Sequence, residues 1–271
     1  MQHATDAGYL AYQYGNAEKL QMRQEAHRLY SERQDSFLDW LVTQLAPGPD
    51  ERIGDIGCGP GIYHKLVSER KSTIIAVDAS AGMVAEARAR ATAHGLSVAA
   101  LQADAMALPL ADGCCSRVMA NHMLYHVPDQ RAALGELWRI LGRSGRVVLA
   151  TAAADSFRVL TDLHAQAAAS AGYTTTPGMT ARFTLDDINL VREVFPSARV
   201  HVREDAFLFP NSQAVLRYYA SGLVDQITPL PTDGAHRRRL LPLMATAVDE
   251  IIATRGHLRV PKDAGCFVAD I

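Results

Sequence analysis

Cysteine is scarce. The four in 271 residues, Cys58, Cys114, Cys115 and Cys266, show neither zinc-ligand spacing nor a secreted-domain pattern. The adjacent pair Cys114-Cys115 enters a run that reads as a buried strand, which fits plain packing. No uninterrupted apolar run approaches the roughly 20 residues a helical membrane span needs. The N-terminus is polar and lacks the apolar centre of a signal peptide, so a reducing cytoplasm is the expected compartment and no membrane partner is expected. Neither sign of charge is in excess: 27 Lys and Arg stand against 29 Asp and Glu, a formal net charge of −2. Such a chain has no global field to attract nucleic acid or an anionic surface. Its one dense basic run, His236-Arg237-Arg238-Arg239, reads as the solvated face of a helix. There is no internal repeat and no low-complexity segment.

What is present is an ordinary globular composition, 48% apolar and 21% charged, long enough to bury a sizeable core. Residues 1 to 46 read as helical, with tyrosines at 9, 12 and 14 and an amphipathic stretch from Ser36 to Leu45. Pro47-Gly48-Pro49 ends it. From Arg52 short apolar strands alternate with helices. Strands are expected over 52–56, 73–77, 97–102, 116–120 and 146–151, with helices to about Glu69, from Ser80 to His94, and from Gln130 to Leu141. This order predicts βαβ units with right-handed crossovers and a parallel, doubly wound sheet. Beyond 151 the pattern predicts helices over 155–170, 184–194, 212–222 and 237–254, an alternating strand over 198–208, and a final strand over 264–270.

Ligands of doubly wound sheets lie at the carboxyl ends of the strands. The polar and glycine residues collect there: Asp55 to Gly61, Asp78, Asp104 and Asn121. The stretch Ile53-Gly54-Asp55-Ile56-Gly57-Cys58-Gly59-Pro60-Gly61 carries a strand into a glycine turn where a ligand can approach bare backbone. A dinucleotide turn would read G-x-G-x-x-G; here the spacing is G-x-G-x-G, with Ile62 in place of the last glycine. Asp55 beside a pyrophosphate would repel it, and suits a ligand with cationic or donor groups. Asp78, at the next strand end, can accept both hydroxyls of a ribose. The residues therefore point to an adenosine-type ligand and away from NAD.

That stretch, with Ala76-Val77-Asp78-Ala79-Ser80, Ala103-Asp104-Ala105 and Asn121-His122-Met123-Leu124-Tyr125-His126-Val127-Pro128, resembles the successive motifs of class I S-adenosylmethionine (SAM) dependent methyltransferases. The resemblance covers about residues 50 to 151 and departs from the family at Arg143-Ser144-Gly145, where Pro-Gly-Gly is frequent. It implies a Rossmann-like α/β fold with a seven-stranded, mostly parallel sheet. It implies that Asp55 and the backbone of Gly57, Cys58, Gly59 and Gly61 hold the amino-acid end of SAM. Asp78 would take the ribose, Ala79 and Met83 would flank the adenine, Asp104 and Ala105 would meet its edge, and Asn121 and His122 would floor the cleft. The flanks resemble a bacterial subgroup acting on small molecules. By that likeness residues 1–46 form a helical lid, 47–209 the SAM-binding core, 210–258 a helical cap insertion, and 259–271 the last strand of the core.

The resemblance implies an enzyme that needs no metal, since the sulfonium is already activated and the protein's task is alignment and exclusion of water. A base is needed only if the acceptor arrives protonated. His126, about a turn beyond Asn121, is the first candidate and His122 the second; the alternative for each is a structural hydrogen bond. Tyr14 and Tyr125 are candidates to meet the substrate, with packing as the alternative for Tyr125. Tyr14, Arg23 and His27 could also close over the SAM carboxylate, or face solvent. An Asn/Asp-Pro-Pro-aromatic run, expected of a nucleobase amino-methyltransferase, is absent at Asn121, and so is a radical-SAM CxxxCxxC cluster. The expected substrate is a small metabolite methylated on O, N or C, a bacterial natural product included. Other readings are a SAM-binding protein with a non-methylating role such as cyclisation, and a nicotinamide oxidoreductase, which Ile62 and Asp55 disfavour. The oligomeric state is left open, a homodimer included.

Overall fold

A computed structural model describes residues 18–271. The tyrosines at 9, 12 and 14 lie outside the described residues. In chain order the described helices are α1 (Glu18–Tyr30), α2 (Phe37–Leu45), α3 (His64–Ser68), α4 (Ala81–Ala93), α5 (Gln130–Ile140), α6 (Arg158–Ser170), α7 (Ile188–Val194), α8 (Ser212–Tyr219) and α9 (Ala235–Arg255). The strands are β1 (Arg52–Ile56), β2 (Thr73–Asp78), β3 (Val98–Gln102), β4 (Cys115–Asn121), β5 (Leu141–Ala152), β6 (Thr174–Thr175), β7 (Arg199–Arg203), β8 (Ala206–Phe209), β9 (Ile227–Thr228), β10 (Leu258–Pro261) and β11 (Ala264–Asp270).

Seven strands form one sheet in the order β3-β2-β1-β4-β5-β11-β7. All neighbours in it are parallel except β11, which runs antiparallel to both β5 and β7. The central strands are apolar on both faces because both are covered, as parallel sheets require. On one face Ile56, Val118, Ala120 and Leu149 pack with Leu134, Leu137 and Ile140 of α5. On the other, Ile53, Ile74, Met119 and Val148 pack with Leu41, Val42 and Leu45 of α2 and with Val84 and Ala87 of α4. Side-chain caps fix the starts of these helices: Ser36 accepts from the Asp39 amide, Ser80 from Met83 and Asp129 from Ala132. This sheet, its order and its single reversed strand define the Rossmann-like α/β fold of class I methyltransferases.

A second apolar body lies outside the sheet. Leu160, Leu163 and Ala167 of α6 pack there with Phe207 and Phe209 of β8, Val215 and Tyr219 of α8, Leu240, Met244 and Val248 of α9, and Ala26 of α1. Two expectations are corrected by this arrangement. The alternating run over 198–208 is not one strand: it divides at Glu204-Asp205, with β7 staying in the main sheet and β8 pairing antiparallel with β10. Nor is the run up to residue 46 continuously helical, because α1 and α2 are separated by 31–36, where Ser31 bridges to Phe207. The basic run at 236–239 is also only half solvated. His236 is buried, and its Nε2 meets Asp225 at 2.9 Å, while Arg237 reaches the same carboxylate at 2.6 Å.

Candidate functional site

The carboxyl ends of β1, β2 and β4 lie side by side in the sheet, which brings the glycine turn, Asp78 and Asn121 to one edge. The turn after β1 is anchored backwards: the amides of Gly57 and Cys58 both donate to the Val77 carbonyl, at 2.7 and 3.0 Å. Gly57, Gly59 and Gly61 all take positive φ, 70°, 53° and 73°. At Gly61 a side chain is excluded from within, since an added Cβ would stand 2.3 Å from His64 Nδ1. At Gly59 an added Cβ would meet nothing within 4 Å. The bare face of Gly59 is therefore open.

Asp78 closes the turn. Its Oδ2 accepts from the Gly59 amide at 2.8 Å and its Oδ1 from the Ser80 amide at 2.9 Å. Burial raises its pKa from the ordinary carboxylate value, and these two amides work against that rise. Each oxygen keeps a lone pair, so a vicinal diol remains a fitting partner. Met83 is buried at the start of α4 beside Asp78, and Ala79 is exposed. Asp104 is exposed and accepts from the Met106 amide at 2.9 Å, next to buried Ala105. At the end of β4 the Oδ1 of Asn121 is buried with no hydrogen-bond partner among the described residues. An orphan acceptor at that depth asks for a donor from a ligand.

Asp55 is paired inside the protein. It is 1% exposed, and its Oδ2 meets Nε2 of equally buried His64 at 3.1 Å. The pair ties the first residue of α3 to β1 and seats the imidazole against Gly61. Its role in the structure is thus to shape the turn. His64 is the residue that sequence reading missed; its only signal was position, three residues beyond the last glycine and at a helix start. Cys58 is buried, and desolvation pushes its thiol pKa far up, so it contributes backbone and bulk and no nucleophile.

The two expected histidines stand beyond Asn121. His122 takes a left-handed backbone, φ 55°, while its amide donates to Ala150 O at 2.8 Å, and its ring lies 5.7 Å from Phe37. Burial lowers its pKa to about 4. His126 also falls to about 4, chiefly through burial and then through the charges of Arg23 and Arg182. Tyr125 is buried with its ring edge-on to His126 at 4.5 Å, and its carbonyl accepts from Arg182 at 3.0 Å. Both histidines are neutral at pH 7, and a neutral imidazole can accept a hydrogen bond beside a cationic ligand without repelling it. The structure brings the turn, Asp78, Asn121, His122 and His126 to one end of the sheet. Tyr14 lies outside the described residues. Among the described residues no three His, Cys, Asp or Glu side chains cluster as a metal site, and no helix is long and apolar enough to cross a membrane.

The family described as methyltransferase domain matches residues 54–149, the stretch that builds this site. The demethylmenaquinone methyltransferase of Thermus thermophilus is 38% identical over 111 residues, covering 40% of this chain and 49% of the relative. The malonyl-[acyl-carrier protein] O-methyltransferase of Serratia marcescens is 32% identical over 114 residues, covering 42% and 43%. A solved SAM-dependent methyltransferase from Aquifex aeolicus superposes over 69% of this chain and 90% of its own, with a TM-score of 0.51 and 16% identity, a likeness of fold. The chain spans about half the length of the curated relatives it matches. Residues 54–149 thus resemble a methyltransferase domain, and the sheet shares the fold of that solved SAM-dependent methyltransferase.

Proposed function

We propose that this protein transfers a methyl group from SAM to a small-molecule acceptor held between the sheet's carboxyl edge and the helical body formed around 210–258. The observation that carries the reading is the Gly59–Asp78 bond. It fixes a carboxylate suited to a ribose beside a backbone face that is open to a ligand. When bound, SAM supplies the methyl group already activated as a sulfonium. Asp78 would hold the ribose, the Gly57–Gly61 backbone the amino-acid end, Met83 the adenine face, and Asn121 Oδ1 a donor otherwise unmet. Asp55 acts at one remove, by holding His64 and with it the turn.

For an acceptor that arrives protonated, His122 and His126 are the groups able to take its hydrogen bond, since burial keeps both neutral at pH 7. Residues 1–46 and 210–258 would act as lid and cap, excluding water from the reacting atoms. The experiment is incubation of the purified protein with SAM carrying a labelled methyl group and an extract of the source cell. Label moving into a small molecule supports the reading. Conversion of an extract component that needs bound SAM yet carries no label would assign a non-methylating role instead.

A further inference from the structure

The glycine turn has two halves with separate anchors. The first half hangs from β2: Gly57 and Cys58 donate to Val77 O, and the Gly59 amide donates to Asp78. The second half is closed by His64. The Gly61 amide donates back to Cys58 O at 3.0 Å, and the Gly61 carbonyl accepts from the His64 amide at 3.2 Å. The imidazole then fills the side of Gly61 where a Cβ would stand. Its far nitrogen, Nε2, meets Asp55 Oδ2 of β1 at 3.1 Å. The backbone at Gly61 thus rests on a ring that is itself tied to a strand.

The pair lies in apolar surroundings. Asp55 stands level with Ala76 of β2 and Met119 of β4, and both belong to the cluster that also buries Ile53, Tyr63 and Val67. A buried ionisable pair in such a place gives little or no net stability over apolar side chains of the same volume. His64 Nδ1, moreover, is buried with no hydrogen-bond partner among the described residues. The ring's donor therefore belongs on Nε2, where Asp55 accepts it, since an N–H at Nδ1 would find no acceptor. A bare nitrogen and a buried carboxylate are costs that packing alone does not account for. What the pair provides is shape: a short flat ring, held in one orientation, under a glycine at φ 73°.

We propose that His64 is a positioning residue that makes the site select ligands carrying an amino-acid end. This rests on the methyltransferase reading, in which the Gly57–Gly61 backbone takes that end and Asp78 the ribose. The ribose anchor reaches the turn through Gly59 and makes no contact with His64. The amino-acid end needs the Gly61 half in its left-handed form, which His64 and Asp55 set together. Loss of the imidazole should therefore harm the grip on one end of the ligand and spare the other.

The experiment is calorimetry with S-adenosylhomocysteine (SAH) and with methylthioadenosine, which keeps the adenosine and sulfur of SAH and lacks its amino-acid end. The wild type should bind SAH the more tightly. His64→Leu fills the space without a donor. It should weaken SAH about tenfold, the worth of a hydrogen bond or two to a charged group, and leave methylthioadenosine within about twofold. His64→Gln, whose amide can still donate to Asp55, should recover most of the SAH affinity. Should His64→Leu not fold, His64→Asn serves, being polar but too short to reach Asp55, and the same split is expected. Equal weakening of both ligands, SAH affinity unmoved by loss of the imidazole, or no recovery in His64→Gln would overturn the inference. Wild-type protein that binds neither ligand would instead count against the methyltransferase reading.

Discussion

At the carboxyl edge of the sheet, the groups offered to a ligand are peptide amides and short side chains fixed by β1, β2 and β4. The helical body beyond it is built instead from long side chains of separate segments packed on one another: His27 from α1, Phe157 from the start of α6, Phe207 from β8 and Tyr218 from α8. The first region holds its shape through backbone bonds between neighbouring strand ends, such as Gly57 and Cys58 to Val77. The second depends on buried charge. Asp225 gathers His236, Arg237 and, at 3.9 Å, Lys19, while His164 bridges Tyr219 Oη at 2.7 Å and the Gln226 carbonyl at 3.1 Å. A cofactor shared by a family can be met by a fixed backbone frame. An acceptor that differs between relatives is better met by side chains that change without disturbing that frame.

If the two regions are independent in this way, damage to one should leave the other readable. The largest effect is expected in the helical body. Asp225→Ala takes from His236, Arg237 and Lys19 the buried carboxylate they share and should cost about 3–5 kcal/mol in denaturant unfolding. Folded protein of this variant should still bind SAH within about twofold; a collapse of SAH affinity would join the two regions. In the core, Gly61→Ala combines a left-handed penalty with a Cβ overlapping His64, so a loss of about 2–5 kcal/mol is expected, with SAH binding lost as well. Gly59→Ala sharpens the point, since its Cβ meets no protein atom. Stability should fall by only about 1–2 kcal/mol, yet SAH affinity should drop about tenfold or more because the methyl fills the ligand's place. Gly59→Ala binding SAH normally would mean that the ligand lies elsewhere.

A further effect is on pH. His122 and His126 have folded pKa values near 4 against 6.5 unfolded, so below pH 6.5 the unfolded chain binds protons that the folded chain refuses. Stability is therefore full above pH 6.5 and declines as pH falls toward 4, by at most about 1.4 kcal/mol per pH unit for each histidine. His126→Gln should flatten the slope of the melting temperature in that window. An unchanged slope would show that His126 titrates normally.

The core was legible because each part of it is local. A βαβ rhythm sets the strands, and strand ends carry the polar residues, so Asp78, Asn121 and the turn were found from spacing alone. Asp55 was found but its contact was not: the partner, His64, is chosen by how the turn folds back, which spacing does not reveal. The helical body was hard to read for the opposite reason. β8 and β10 pair across some fifty residues, from Ala206–Pro261 to Phe209–Leu258, and nothing in the alternating run over 198–208 marks the break at Glu204-Asp205. Likewise His236 and Arg237 look like surface charge until Asp225, eleven and twelve residues away, is seen to lie beneath them.

The account rests on Asp78 and the turn holding an adenosine ligand that carries no phosphate. Titration calorimetry of the wild-type chain and Asp78→Ala with SAH and with NAD addresses this most directly. The expected result is SAH binding by the wild type, at least about tenfold weaker binding by Asp78→Ala, the loss of a pair of charge-assisted hydrogen bonds, and no NAD binding by either. Tight NAD binding without SAH binding, or SAH affinity untouched by Asp78→Ala, would contradict it.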